Sequence, residues 1–220
     1  MRRSLMLIAA LTAASVQQAS AEQGDWLVRL RAIGVIPTEN VSDVLPAFPG
    51  GSATVENAYV PELDFTYFLT DNIGAELILA TSPHSLEGTG TLAALGEIAD
   101  VMALPPTLTV QYHFNPRGKV RPYVGVGVNY TIFYSEDASA SLVGAIGPTT
   151  VSVDDTVGVA YQAGVDIDLS ERWFVNADIK YIQIDTTATL NTGGLINTIA
   201  IDLDPIVAGI GIGYRFGARR

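Results

Sequence analysis

Cysteine is absent from this chain of 220 residues, histidine occurs twice, and 12 lysines and arginines stand against 23 aspartates and glutamates. Each scarcity excludes something. Without cysteine there is no disulfide framework and no thiolate metal site. With few cations and a net charge of −11, nucleic acid is excluded as a partner, because binding phosphate needs clustered lysine or arginine. Long apolar runs are also scarce. The one present, Leu5 to Val16, is shorter than the ~20 residues a spanning helix needs.

That run reads as the core of a secretory signal peptide, with Arg2 and Arg3 before it and the small-x-small site Ala19-Ser20-Ala21 after it. The expected division is a cleaved segment, 1–21, and one domain, 22–220. Cleavage removes two arginines and leaves 199 residues with a net charge of −13. A secreted chain without cysteine points to a bacterial envelope.

What is present is alternation. In Ile206–Phe216 every second residue is apolar (Ile206, Ala208, Ile210, Ile212, Tyr214, Phe216), and glycines and Arg215 lie between. A period of two is the mark of a β-strand. A soluble sheet seldom leaves so long an apolar edge at its end, whereas a closing membrane barrel needs one. Seven further segments alternate: Asp25–Val35, Val55–Leu69, Ile73–Thr81, Leu104–Phe114, Val120–Tyr134, Thr156–Leu169 and Trp173–Gln183. The last segment runs from about Thr198 and slips phase near Asp204-Pro205, where a bulge is expected.

The connections alternate in length. Those after the second, fourth and sixth segments are short turns. Those after the first, third, fifth and seventh are long, at about 37–54, 82–103, 135–155 and 184–197. This predicts an all-β fold: an eight-stranded antiparallel transmembrane β-barrel with short periplasmic turns, long extracellular loops and both termini in the periplasm. Trp26, Tyr67, Tyr112, Phe114, Trp173, Tyr214 and Phe216 fall at the short-turn ends. Tyr59, Tyr130, Phe133, Tyr134 and Tyr181 lie toward the other ends, as two interfacial girdles would. Helical spacing of Leu92, Leu95, Ala99 and Met102 predicts a short amphipathic helix in the second long loop.

These segments resemble the OmpW family of outer-membrane proteins. The likeness is carried by Trp26-Leu-Val-Arg29-Leu-Arg31, Pro61-Glu62-Leu63-Asp64-Phe-Thr-Tyr67, Thr70-Asp71-Asn72-Ile73-Gly74-Ala75-Glu76-Leu77, Leu104-Pro105-Pro106-Thr107-Leu108 and Gln111-Tyr112-His113-Phe114. It continues in Arg121-Pro122-Tyr123 through Asn129-Tyr130, Trp173-Phe174-Val175-Asn176-Ala177-Asp178, and Asp204-Pro205 through Phe216. The resemblance implies a narrow, largely hydrophobic channel in the Gram-negative outer membrane and passive uptake of small hydrophobic molecules. The partners it implies are outer-membrane lipid and lipopolysaccharide, the barrel-assembly machinery acting on the C-terminal strand, small hydrophobic solutes, and bacteriocin or phage at the loops. The family tends to end on its final aromatic residue, whereas Gly217-Ala218-Arg219-Arg220 follow Phe216 here.

By alternation Arg29, Arg31, Glu62, Asp64, Glu76, Asp178, Lys180 and Arg215 face the lumen, with opposite charges on adjacent strands. An interior of this size is filled by side chains or holds one small ligand, so these charges read as a paired polar plug, with a selectivity gate as the alternative. Lumen-side glycines on the fifth and sixth strands mark that wall as the better cavity candidate. Apolar loop residues, chiefly Leu45, Phe48, Leu92, Leu95 and Leu142, are the candidate channel mouth. No catalytic residue, metal site or cofactor is expected. His84 and His113 are too isolated for a triad or a metal centre. The alternative to transport is a non-transporting envelope barrel, its lumen sealed and its loops serving as a receptor surface.

Overall fold

The structure, a computed structural model, describes residues 22–217. The expected signal peptide and the terminal Ala218-Arg219-Arg220 lie outside the described residues. The chain forms β1 (Trp26–Ile36), β2 (Asn40–Val41), β3 (Gly51–Val55), β4 (Ala58–Phe68), β5 (Ile73–Ala80), β6 (Ser82–Gly90), β7 (Glu97–Leu104), β8 (Thr107–His113) and β9 (Val120–Ala138). A short helix α1 (Ala140–Ile146) follows, then β10 (Thr149–Val153), β11 (Thr156–Asp168), β12 (Trp173–Ile182), β13 (Asp185–Thr192), β14 (Leu195–Asp202) and β15 (Ile206–Phe216).

Eight of these strands close a barrel in the order β1-β4-β5-β8-β9-β11-β12-β15, every neighbour antiparallel. The seam is β15 against β1, in register from Trp26↔Phe216 to Ile36↔Ile206. Closure of this kind satisfies every strand edge internally, as hydrocarbon requires. The outer face is apolar: Leu30, Leu108, Val126, Val157 and Ile210 are all exposed. At the short-turn end outward-facing aromatics touch in pairs, Trp26 on Tyr67, Tyr112 on Phe114, and Trp173 on Tyr214, which also meets Phe216.

The long connections are themselves sheet. β3, β6 and β7 extend the barrel through β7 pairing with the far end of β9, and β10, β13, β14 and β2 make a second sheet. Three sequence expectations change here. Glu97–Leu104 in the second loop is a strand. Only a 3-10 turn, Ala93–Leu95, precedes it, and Gly96 at φ 66 stops that turn from continuing. The helix lies instead in the third loop, where the Ser139 hydroxyl accepts from the Leu142 N–H at 3.1 Å as an N-cap and Gly147 at φ 98 ends it. The slip at Asp204-Pro205 is the point where the chain leaves one sheet for another. Asp204 there takes φ 37, and its carboxylate accepts from the Ile184 N–H and the Tyr181 hydroxyl.

Ile210 sits midway along the lipid-facing side of the closing strand and is 70% exposed. Ile210→Arg is expected to cost about 2–4 kcal/mol by placing a charge at the bilayer midplane. Refolding into liposomes, read as the heat-modifiable gel shift, should give a lower folded fraction for this variant and no change for Ile210→Leu.

Candidate functional site

Alternation along β1 sends Arg29 and Arg31 inward, and the pairing with β4 sets Arg29 beside Asp64 and Arg31 beside Glu62. Both guanidinium groups are fully buried. Arg29 reaches Asp64 at 2.9 Å, Glu76 at 3.2 Å and, across the lumen, Asp166 at 2.9 Å. Arg31 reaches Glu62 at 2.7 Å, Asp64 at 2.9 Å and Glu76 at 3.2 Å. Lys180 lies between Glu62 at 2.9 Å and Asp178 at 2.7 Å. Toward the short-turn end Arg121 and Arg215 share Asp168.

Neutral groups complete the lattice. Gln111 donates to Glu76 at 2.7 Å, the Tyr123 hydroxyl to Asp178 at 2.9 Å, and Asn176 to Asp166 at 2.8 Å. The Arg29 guanidinium lies 5.5 Å from the ring centres of both Tyr123 and Phe174, in cation–π range. Leu27, Phe68 and Phe174 pack below it. The eight charged residues expected in the lumen therefore stand in one connected set.

Arg121, Asp166 and Asp168 belong to the same set and were not singled out from the sequence, although the same alternation along β9 and β11 points them inward. His113 is fully buried beside the rings of Phe68 and Tyr123 and bonds Gln111 at 3.1 Å.

The lumen glycines do not open a cavity on the wall of the fifth and sixth barrel strands. At Gly164 the space of a side chain is taken by the Tyr123 ring. At Gly127 a Cβ would run into the Leu108 carbonyl and the Thr109 Cα of the neighbouring strand, so that glycine lets two backbones approach.

The cavity lies above the plug, in the long-hairpin half of the barrel. Its wall is aliphatic, with Ile33, Val35, Val60, Ile78, Ala80, Ile182, Ile184 and Val207, and its floor is Glu62 and Lys180. Its volume is about 50 Å³, room for roughly three to five waters. A smaller pocket shares His84, Phe133 and Leu203 with it and continues into the hairpins. Phe133, assigned to the upper girdle from its position in the chain, faces this interior instead. Burial holds the His84 imidazole below its ordinary value, while its bond to the Glu56 carbonyl acts the other way.

The five candidate mouth residues do not line this cavity. Leu92 and Leu142 are buried in an apolar core that joins all four hairpins, with Val44, Leu86, Ile98, Val151, Leu190 and Ile199; Phe48 and Leu95 pack against it. Phe48, Leu92 and Leu95 also border a shallow outer depression beside Ile146. Leu45 is 49% exposed and exchanges backbone hydrogen bonds with Thr198.

Charge is divided along the barrel axis. The hairpins carry thirteen acidic residues: Glu39, Asp43 and Glu56; Glu87, Glu97 and Asp100; Glu136, Asp137, Asp154 and Asp155; Asp185, Asp202 and Asp204. Among the described residues no lysine or arginine accompanies them there; the cations are in the plug or at the short turns. Crowding is felt at Glu97, whose carboxyl is pushed up first by Asp100, with Glu87 and Glu56 adding to it.

A family model described as the OmpW family matches residues 22–216. Outer membrane protein W of Salmonella typhimurium is 41% identical over 213 residues, 95% of this chain and 98% of its own. The dibenzothiophene metabolism operon protein PahQ of Pseudomonas aeruginosa is 31% identical over 200 residues, 89% of this chain and 90% of its own. The crystal structure of the outer membrane protein OprG from Pseudomonas aeruginosa matches with a TM-score of 0.85 at 33% identity, over 91% of this chain and 99% of that one.

Removing Arg29 leaves Asp64, Glu76 and Asp166 each short of a buried partner. Arg29→Ala is expected to destabilise the barrel by about 3–5 kcal/mol, the cost of stranding buried charge. Asp137→Ala, at an exposed hairpin position, should cost far less. Urea titrations in one lipid compare the two, and equal midpoints would show that the lumen is wet.

Proposed function

The chain belongs to the OmpW family of outer-membrane barrel proteins, and from that premise we propose that it admits small hydrophobic molecules passively from outside the cell, without enzymatic chemistry. In this reading the long hairpins face outward and the short turns face the periplasm. The observation that carries the proposal is the aliphatic cavity under the hairpins, whose charged lining residues, Glu62 and Lys180, are on the floor. An apolar solute gains about 25 cal/mol for each Å² it buries on such a wall. The pocket shared through His84, Phe133 and Leu203 supplies a way in from the hairpins. The name of PahQ associates that relative with the metabolism of an apolar aromatic compound, which supports the same solute class here.

The entrance proposed is thus this cavity and its neighbouring pocket, in place of the five-residue mouth. Below the floor the ion-pair lattice stands across the direct path, and displacing it would strand buried charges. Those closed pairs, together with the hairpin core that buries Leu92 and Leu142, favour a second reading. That reading is a sealed envelope barrel whose hairpins present an interaction surface.

Uptake separates the two. Cells making the barrel should accumulate an apolar aromatic probe faster than cells lacking it. Ala80→Trp, which fills the cavity from its wall, should cut that gain about tenfold, the equivalent of roughly 55 Å² of lost apolar contact. The variant should still show the folded gel shift. No gain with the parent barrel would favour the sealed reading, and a gain unaffected by Ala80→Trp would remove this cavity from the path.

A further inference from the structure

The cavity and the charge division together bear on which apolar molecules pass, an inference that rests on the transport reading above. The approach to the cavity runs through hairpins that hold thirteen carboxylates and, among the described residues, no lysine or arginine. Summed charge of one sign sets up a field over a protein surface and changes the local concentration of charged solutes. Inside, the one cation on the cavity surface among the described residues is Lys180, and its ammonium is already held by Glu62 at 2.9 Å and Asp178 at 2.7 Å. Glu62 is in turn held by Arg31 at 2.7 Å. An anionic headgroup therefore meets repulsion on the way in and finds no free cation at the bottom.

We propose that this barrel selects by charge as well as by hydrophobicity: it admits uncharged and cationic apolar molecules and turns away apolar anions such as alkyl carboxylates and sulfonates. The acidic hairpins are the filter, acting through their summed field and not as a binding site. The paired floor is the second barrier, because an anion there must compete with two carboxylates for Lys180. A neutral solute feels neither and is ranked by the aliphatic wall alone.

The hairpin carboxylates differ in what else they do. Asp155 accepts the Phe133 N–H and the Tyr130 hydroxyl, and Asp204 ties β12 to the start of β15. Glu56, Asp137, Asp185 and Asp202 are exposed and sit on three of the four hairpins or at their bases. They are the ones to neutralise without disturbing the scaffold.

The test uses the whole protein in cells and three probes with one octyl chain length: methyl octanoate, octyltrimethylammonium and octyl sulfonate. Initial uptake is read as the gain over cells lacking the barrel. In about 0.01 M salt, where the Debye length is ~30 Å, the gain for the sulfonate should be at least about tenfold below that for the ester. At about 0.15 M, where the length falls to ~8 Å, the gap should narrow. The combined variant Glu56→Gln, Asp137→Asn, Asp185→Asn, Asp202→Asn should raise sulfonate uptake several-fold and leave ester uptake unchanged. Equal gains for all three probes would overturn charge selection while leaving transport standing. A sulfonate deficit that neither salt nor the variant alters would overturn the role of the hairpins. No gain for any probe would overturn the transport reading, and this inference with it.

Discussion

Everything in this molecule hangs on the seam between its first and last barrel strands. In hydrocarbon no water is at hand for an unpaired N–H or C=O, so an open sheet edge is intolerable and the sheet must close on itself. Pairing β15 with β1 over the whole run from Trp26↔Phe216 to Ile36↔Ile206 does this. It also settles which side of each strand is inside. A slip of one residue would turn Arg29 and Arg31 to the lipid and Leu30 to the lumen, so the register is strongly specified. The seam also explains the glycines of β15: beside Arg31, a Cβ at Gly211 would collide first with the Leu30 carbonyl and then with Arg31 itself, and at Gly213 with the Phe174 ring.

With the apolar side chains turned outward to lipid, the interior inherits the polar ones. The barrel does not leave them to water. Arg29 spans from Asp64 on the neighbouring strand to Asp166 on the far wall, and Arg31 gathers Glu62, Asp64 and Glu76. Each guanidinium thus ties several staves together. Tyr123 and Gln111 satisfy oxygens that the cations do not reach, and Asn176 adds a second donor to the Asp166 oxygen that Arg29 Nε also meets. The lattice behaves as a core made of charge, and it decides where empty space can be. The lattice occupies the lower lumen, and the cavity lies above Lys180 and Glu62.

Above the cavity the hairpins form a core of a different kind. Val44, Leu92, Leu142, Leu190 and Ile199 come from all four hairpins and pack as in a soluble protein. The polar outer surface of that cap is acidic, while among the described residues the cations are in the plug and at the short turns. A solute thus meets a negative surface, an aliphatic chamber and an ion-paired floor in succession. The proposals about transport and charge selection are readings of that sequence of environments.

The sequence by itself determined the barrel, because alternation with period two is a local property and each residue's side of the sheet follows from parity alone. That is why the charged lumen residues from Arg29 to Arg215 were legible, and why Arg121, Asp166 and Asp168 carried the same signal. Whether the apolar loop residues lined a mouth or filled a core was not legible, since it depends on how four hairpins distant in the chain fold over one another. Leu92 and Leu142 are buried for that reason, and the spacing that suggested a helix after Leu92 yields to pairing between β7 and β9. The place of the cavity was likewise a tertiary decision. Glycines predicted space on one wall, but a ring at Gly164, under Tyr123, and neighbouring backbone at Gly127 and Gly158 filled it. Parity assigns a side chain its face; only close packing decides whether the space in front of that face is empty.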